Sequence, residues 1–236
     1  MTALRQIILD TETTGFEPSQ GHKIVEIGCL EIINYLPTGV VYHTYLNPER
    51  DVPADATAVH GLTEDFLKGH PKFQDIHVDF LDFIGDDQLI IHNAPFDMKF
   101  LNAELKTVGK THLSMNRVID TLAIARKKFP GSPASLDALC KRFNVDNSKR
   151  DKHGALLDSE LLAEIYLELV GGRQPGFTFQ SVNSSDNVQT SPLGKSTSEK
   201  PHREPRQLYA TTEEERQAHR VFMSEIHQKT RTRQSL

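Results

Sequence analysis

The sequence is short of cysteine, of long apolar runs, of positive charge and of internal repeats, and each shortage removes a class of protein. Cysteine occurs twice in 236 residues, as Cys29 and Cys140. Both lie in apolar-patterned segments and neither has a histidine at metal-ligand spacing, so they read as buried thiols and not as a disulfide or a zinc framework. No stretch approaches the roughly 20 apolar residues of a membrane span. Residues 1–9 lack the apolar region and cleavage site of a leader peptide. A soluble cytoplasmic protein with no membrane partner is expected. The formal net charge of −5 argues against a protein that coats nucleic acid by bulk charge, although a groove can still be locally basic.

What is present divides the chain near Gly171-Gly172. Before that break apolar periodicity is almost continuous. After it comes a stretch rich in Ser, Asn, Gln, Pro and Lys, which cannot bury enough apolar surface to offset its ordering entropy and reads as a linker. Residues 181–236 hold nine Lys and Arg against seven Asp and Glu, a net of +2 that leaves −7 for the preceding residues. The first part opens with apolar runs at residues 5–10, 23–33 and 40–46. The last two are separated by Pro37-Thr38-Gly39, a turn signal that predicts a hairpin. Phe73, Ile76, Phe80, Phe83 and Ile84 recur at helical spacing. Residues 88–92 and 117–120 read as short strands. Helices are expected around Phe100 to Val108, over 122–128, over 136–143 with Ser135 as cap, and through Leu156, Leu161, Ile165 and Leu169. A three-strand meander followed by alternating helix and strand predicts an α/β fold, a mixed five-stranded sheet with helices on both faces.

Acidic residues punctuate this pattern. In Ile7-Ile8-Leu9-Asp10-Thr11-Glu12 an apolar strand ends in two carboxylates one residue apart, which side-chain alternation puts on the same face. Taken alone the pair is a polar strand end, but like charges held that close repel unless a cation lies between them. Asp97 follows a buried strand and a Pro-containing loop, near the first turn of a helix, where it is either a cap or a ligand. Its neighbour Phe96 is either core or a stacking surface. Asp158 lies on or beside the apolar face of the last helix of the first part, a costly place for an acid unless it is paired or bound to metal. His153 would lie roughly 140° away from Asp158 on one continuous helix. The two converge only if His153 stands on a loop before that helix, which Gly154 permits. Lys149, Arg150, Asp151 and Lys152 read as a solvent-facing mobile loop. Four carboxylates call for roughly four positive charges, which two Mg²⁺ or Mn²⁺ ions about 4 Å apart supply. Oxygen-only ligation favours such hard ions over zinc. A histidine free of other ties supplies a base near neutrality. The set is suited to hydrolysing a phosphodiester.

Asp10-x-Glu12-Thr13-Thr14-Gly15, His92-Asn93-Ala94-Pro95-Phe96-Asp97 and His153-x4-Asp158 resemble the three motifs of the DEDDh 3′–5′ exonucleases, and the leading histidine of the third motif points to the His-type branch. The resemblance covers about residues 4–172. It extends to Gly21-His22-Lys23-Ile24-Val25-Glu26-Ile27-Gly28, to Val59-His60-Gly61-Leu62 and to Ser135-Leu136-Asp137-Ala138-Leu139-Cys140. Asn147-Ser148-Lys149-Arg150 brings it closest to the proofreading subunits of bacterial replicative polymerases. The resemblance implies a ribonuclease-H-like sheet, two metal ions and release of 3′-terminal nucleotides as 5′-monophosphates. It implies Asp10, Glu12, Asp97 and Asp158 as metal ligands and His153 as general base. Thr13, Val59, His60 and Phe96 match positions that line the terminal nucleotide, together with Asp10, Glu12 and Asp158.

The same resemblance divides the chain into an exonuclease domain at 1–172, a sliding-clamp-binding peptide at 173–180, a flexible linker at 181–206 and a polymerase-binding tail at 207–236. Gln174, Phe177 and Phe179 are either a stray apolar patch or, as the resemblance implies, anchors on the clamp. Thr212-x-x-Glu215 is a capping-box pattern, and Ala218, Val221, Phe222 and Ile226 then recur at helical spacing. Such a helix has no core of its own and either stays disordered or docks on a partner. The implied partner is the catalytic alpha subunit of the polymerase, with Val221, Phe222 and Ile226 in contact. A DNA 3′ end is the implied substrate, and the scheme admits a small accessory subunit. Two other readings stay open: a stand-alone exonuclease that trims RNA or DNA, and a non-catalytic scaffold, which the intact acids and His153 disfavour.

Overall fold

Ile7, Ile8 and Leu9 are wholly buried, as in a strand covered on both faces. Their strand, β1 (Arg5–Thr13), runs through the middle of the sheet. The structure is a computed structural model and describes residues 3–148 and 150–171 together with Glu213 and Gln217. The chain divides after residue 180, and every element named below lies in the first unit. On one side β1 pairs antiparallel with β2 (Ile24–Ile33), which pairs antiparallel with the edge strand β3 (Leu36–Tyr45). On the other it pairs parallel with β4 (Gln88–Ile91), which pairs parallel with β5 (Val118–Asp120). The order β3-β2-β1-β4-β5 is the expected mixed five-stranded sheet.

Two short helices, α1 (Ala54–His60) and α2 (Glu64–Leu67), precede α3 (Phe73–Ile84) and α4 (Ala94–Thr107). Then come α5 (Thr121–Lys128), α6 (Leu136–Phe143) and α7 (Ala155–Val170). Alternation along β1 sorts them. Ile7 and Leu9 pack with Phe80 and Ile84 of α3 and Phe100 and Leu101 of α4. Ile8 faces the other way, onto Leu162 and Tyr166 of α7. Leu139 and Cys140 of α6 close around Leu161 and Ile165 behind α7. Helices therefore cover both faces, as the pattern predicts. Cys29 and Cys140 are free, buried thiols. Among the described residues no helix is long and apolar enough to cross a membrane.

Three expectations need correction. The hairpin between β2 and β3 does not turn at Pro37-Thr38-Gly39. It turns at Asn34 and Tyr35, both left-handed with φ of 50° and 69°, between the paired Ile33 and Leu36. This is the two-residue loop whose twist matches flanking strands, and Asn34 is tied to Leu4 at the start of β1 by two hydrogen bonds. Pro37 and Gly39 lie inside β3, where the register with β2 shifts; an edge strand tolerates both. Second, β1 runs on past Asp10 to Thr13, so the acids stand inside the strand. Third, α1 and α2 are absent from the sequence reading because Val59 is the sole large apolar residue of α1 and gives no period. Its punctuation was available: Pro53 precedes it and the left-handed Gly61 ends it, donating to the carbonyl of Thr57.

Candidate active site

Asp10 and Glu12 share the parity of Ile8, so they face α7, while Thr11 between them faces α4. Thr11 holds Asp97: its backbone N–H donates to Asp97 Oδ1 at 3.1 Å and its hydroxyl to the same oxygen at 2.7 Å. The residue that sequence spacing treats as a separator is thus the clamp on the third acid. Asp97 stands in the first turn of α4, which opens after Asn93 in a left-handed conformation. The Asn93 N–H donates to Asp120 Oδ1 at 3.1 Å, and the same oxygen caps α5 through Leu122 N–H at 2.9 Å. The β4–α4 loop is in this way pinned to the end of β5.

The fourth acid arrives on α7 because Gly28 lets that helix come close. Gly28 pairs with Asp10 across the strands, and a Cβ placed on it would fall 2.3 Å from the backbone of Ala155 and Leu156. The Ser159 hydroxyl donates to the Gly28 carbonyl at 3.0 Å, which fixes Asp158 opposite β1. His153 stands on the loop before α7, as its spacing requires. Its N–H donates to the Val59 carbonyl of α1 at 3.1 Å, and its Nδ1 lies 3.5 Å from Asp158 Oδ2.

Arg150 does not belong to an exposed loop. Its side chain is 6% exposed, and it forks both Asp158 oxygens, Nε to Oδ1 at 2.5 Å and Nη2 to Oδ2 at 2.6 Å. Nη1 donates to Asp137 at 2.5 Å and Nη2 to His153 Nδ1 at 2.8 Å. The physical reason is the cost of Asp158 itself: a buried carboxylate needs a cation, and the guanidinium fork matches it. That need was legible in Asp158; the identity of the partner was not. Arg150 is itself held in the charged form by Asp158 and Asp137 against the cost of burial.

The other three acids have no such partner: among the described residues no ion pair reaches Asp10, Glu12 or Asp97. Burial, and then the charges of Asp97, Glu12 and Asp158, push the Asp10 carboxyl well above its usual range. Glu12 is pushed up to about 8 by burial and by Asp158 and Glu26. Burial lifts Asp97 to about 7 against the hydrogen bonds from Thr11. Glu26 is a further buried acid that motif matching gave no role. It pairs with Glu12 across β1 and β2 and is bonded to His43 Nε2 at 2.7 Å. Donor atoms of Glu12, His153 and Asp158 lie within 4.8 Å of one another; Asp10 and Asp97 are outside that tightest group. A buried, oxygen-rich set with surplus negative charge fits a hard divalent cation.

Two adjoining cavities meet at Glu12 and Phe96. One, of about 510 Å³, holds Asp10, Asp97, Asp158 and His153, with Arg126 and Arg150 in its wall. The other, of about 540 Å³, is lined by Thr13, Phe16, Val59 and His60. His60 is 5% exposed. Its Nδ1 accepts from Leu62 N–H at 3.0 Å, while its buried Nε2 has no hydrogen-bond partner among the described residues. Thr13, Val59, His60 and Phe96, scattered in sequence, are therefore brought to one surface beside the acids. Gln174, Phe177, Phe179, Val221, Phe222 and Ile226 lie outside the described residues.

The profile of the Exonuclease (RNase T) family matches residues 7–166. The DNA polymerase III subunit epsilon of Rickettsia felis is 52% identical over 230 residues, which cover 96% of this chain and 98% of that one. The chain belongs to the exonuclease family, in its epsilon-subunit branch. The epsilon subunit of Escherichia coli agrees at 47% identity over 176 residues, 72% of each chain. Among solved structures, the nuclease domain of 3′hExo, a DEDDh family member bound to rAMP, shares the fold. The two superpose with a TM-score of 0.61 at 20% identity, over 71% of this chain and 92% of that one. As an epsilon-type exonuclease the chain is a metal-dependent 3′–5′ nuclease of the proofreading kind. The sequence expectation of family, fold and activity holds.

Proposed function

We propose that this epsilon-type exonuclease removes mispaired 3′-terminal nucleotides from a frayed primer as 5′-monophosphates. Asp10, Glu12, Asp97 and Asp158 are proposed to hold two divalent cations, Mg²⁺ or Mn²⁺, with His153 as general base. The observation that carries this reading is the convergence of Asp10, Glu12, Asp97, Asp158 and His153 on one cavity. Glu12 and Asp97 are buried and Asp10 is half-buried, with no ion pair among the described residues, and stability alone gives no reason to gather them. Bound divalent cations would neutralise the acids, activate water and balance charge on the scissile phosphate. The chain's own residues do the rest. Thr11 keeps Asp97 turned toward β1, and Gly28 and Ser159 set Asp158 across from it. His153 takes the proton of the attacking water. The terminal nucleotide lies in the neighbouring cavity, between Thr13, Val59, His60 and Phe96.

Membership in the epsilon branch supports association with the polymerase and with DNA. The finer proposal follows the tail: residues 207–236 dock the alpha subunit through Val221, Phe222 and Ile226, and residues 173–180 bind the sliding clamp through Gln174, Phe177 and Phe179. A tethered nuclease needs only weak affinity for free ends, because the tether supplies effective concentration, which suits an acidic chain. The catalytic reading is tested with a 5′-labelled primer carrying a 3′ mismatch, incubated with Mg²⁺. Stepwise shortening from the 3′ end with release of 5′-mononucleotides is expected; cleavage from the 5′ end or inside the strand overturns it. The tail is tested with a chain ending at Phe179. It should hydrolyse free single strands at the full-length rate yet fail to co-elute with the alpha subunit in size-exclusion chromatography.

A further inference from the structure

We infer that Arg150 is a positioning residue which holds both Asp158 and His153 by one guanidinium, and which a divalent cation must displace from Asp158 before either group can act. The inference rests on the proposed roles of Asp158 as ligand and His153 as base. Both Asp158 oxygens accept from Arg150, at 2.5 and 2.6 Å, so a cation ligated by Asp158 meets a positive charge already seated on both oxygens and competes with the fork for them. The same guanidinium reaches His153 Nδ1 at 2.8 Å. Guanidinium has no acceptor, so Nδ1 accepts, and in neutral imidazole the proton then sits on Nε2. The one lone pair with which His153 could take a proton from water is thereby engaged. One side chain occupies the metal-binding oxygens and the basic nitrogen together.

Arg150 also has a third anchor that need not break. Nη1 donates to Asp137 at 2.5 Å, and Asp137, in the first turn of α6, is 60% exposed. Letting go of Asp158 and His153 leaves the guanidinium, which lines the cavity of the acids, tied to a solvated carboxylate. Cation loading and base release become one event: the base is engaged until Asp158 is ligated. Among the described residues no second Lys or Arg is ion-paired to Asp158, so the effect is specific to Arg150. Arg126 lines the same cavity with no hydrogen bond to the acids among the described residues, and serves as the control for charge alone.

The test is Mn²⁺ binding to the full-length chain by isothermal titration calorimetry, with melting curves in EDTA. Arg150→Gln should tighten the weaker Mn²⁺ site by about tenfold, since a charge-assisted fork no longer competes, and should lower the metal-free melting temperature. Arg150→Lys keeps the charge and loses the fork, so it should resemble Arg150→Gln more than the parent chain. Arg126→Gln should leave the affinity within about threefold. In spectra of ¹⁵N-labelled histidine, Mg²⁺ should free Nδ1 of His153 in the parent chain, whereas in Arg150→Gln it should be free beforehand. The inference is overturned by unchanged or weaker Mn²⁺ binding in Arg150→Gln, by an Arg150→Lys variant that binds as the parent does, or by equal tightening in Arg126→Gln. Should Arg150→Gln fail to fold, Arg150→Lys carries the test. Asp158→Asn separates the two layers: it should lose one site. If it binds Mn²⁺ as the parent does, the ligand assignment falls and the inference with it. If it loses the site while both Arg150 variants bind as the parent does, only the inference falls.

Discussion

Asp10 and Glu12 stand inside β1 and Asp97 in the first turn of α4, set by strand alternation and by the helix start. Asp158 and His153 lie across from them on α7 and the loop before it, and share a guanidinium. The first group is crowded with negative charge, which with burial pushes its carboxyls above their usual range, Glu12 to about 8 and Asp97 to about 7. In the second, an internal cation meets the charge of Asp158. The comparison separates two ways of keeping acids buried in one cleft: repulsion frozen into the backbone on one side, and neutralisation by a replaceable partner on the other. Among the described residues no ion pair reaches the strand side, so its repulsion is left to protons or cations from solution.

The largest effect should come from breaking the strand side. Asp10→Asn or Glu12→Gln should reduce Mg²⁺-dependent release of mononucleotides to background. The metal-free chain should melt at the same temperature or higher, because one like charge is gone. A variant that keeps near-parental rates removes that residue from the ligand set. Breaking the loop side should cost less. His153→Ala should slow hydrolysis by roughly 10²–10⁴-fold, the range for loss of a general base, while calorimetry shows Mn²⁺ still bound. Lost Mn²⁺ affinity would instead make His153 a ligand, which its place beside Glu12 and Asp158 makes the alternative worth measuring.

The contrast also sets a pH dependence of stability. Glu12 rises from 4.5 to about 8 and Asp97 from 3.8 to about 7 in the folded chain. Between those limits the folded chain binds more protons than the unfolded one, so stability falls as pH rises. Below about pH 4 the contribution is fully present; above about pH 8 it is lost. Each group changes the unfolding free energy by on the order of 1 kcal/mol per pH unit within its window. Chemical denaturation in EDTA should show the midpoint falling from pH 5 to pH 8, with a shallower slope in Glu12→Gln. Saturating Mg²⁺ should flatten the profile. A midpoint that rises with pH in EDTA would mean that the acids are compensated within the chain.

The two sides also differed in how far the sequence disclosed them. Asp10, Glu12 and Asp97 were readable because period-2 alternation and a strand–loop–helix boundary are local features. The convergence of His153 on Asp158 was readable as a helix-geometry exclusion that only a loop resolves. Arg150 and Asp137 were not, because their pairing depends on where α6 packs against α7, which no local period encodes. Thr11 was passed over as a spacer, since its role exists only once α4 is docked. The β2–β3 turn was misplaced because Pro-Thr-Gly is the stronger composition signal, while Asn34-Tyr35 works through its tie to Leu4. Core apolar positions, by contrast, were legible almost throughout.

The smallest effect should come from the tie between the His153 loop and α1. Two bonds make that tie: His153 N–H to the Val59 carbonyl at 3.1 Å and Lys152 Nζ to the Ala58 carbonyl at 2.6 Å. Lys152→Ala removes the second and leaves the first. An exposed bond of this kind contributes about 0.5–1.5 kcal/mol, enough to lower the share of time His153 spends in place but not to detach it. The turnover rate should fall about two- to tenfold, since each 1.4 kcal/mol is a factor of ten. Mn²⁺ affinity should stay at the parental value, because Asp158 is placed through Gly28 and Ser159 and not through Lys152. Lys152→Arg, which can still donate to the Ala58 carbonyl, should restore most of the rate. If Lys152→Ala weakens Mn²⁺ binding as much as it slows turnover, the loop and α7 act as one body, and the base cannot be tuned apart from the ligand.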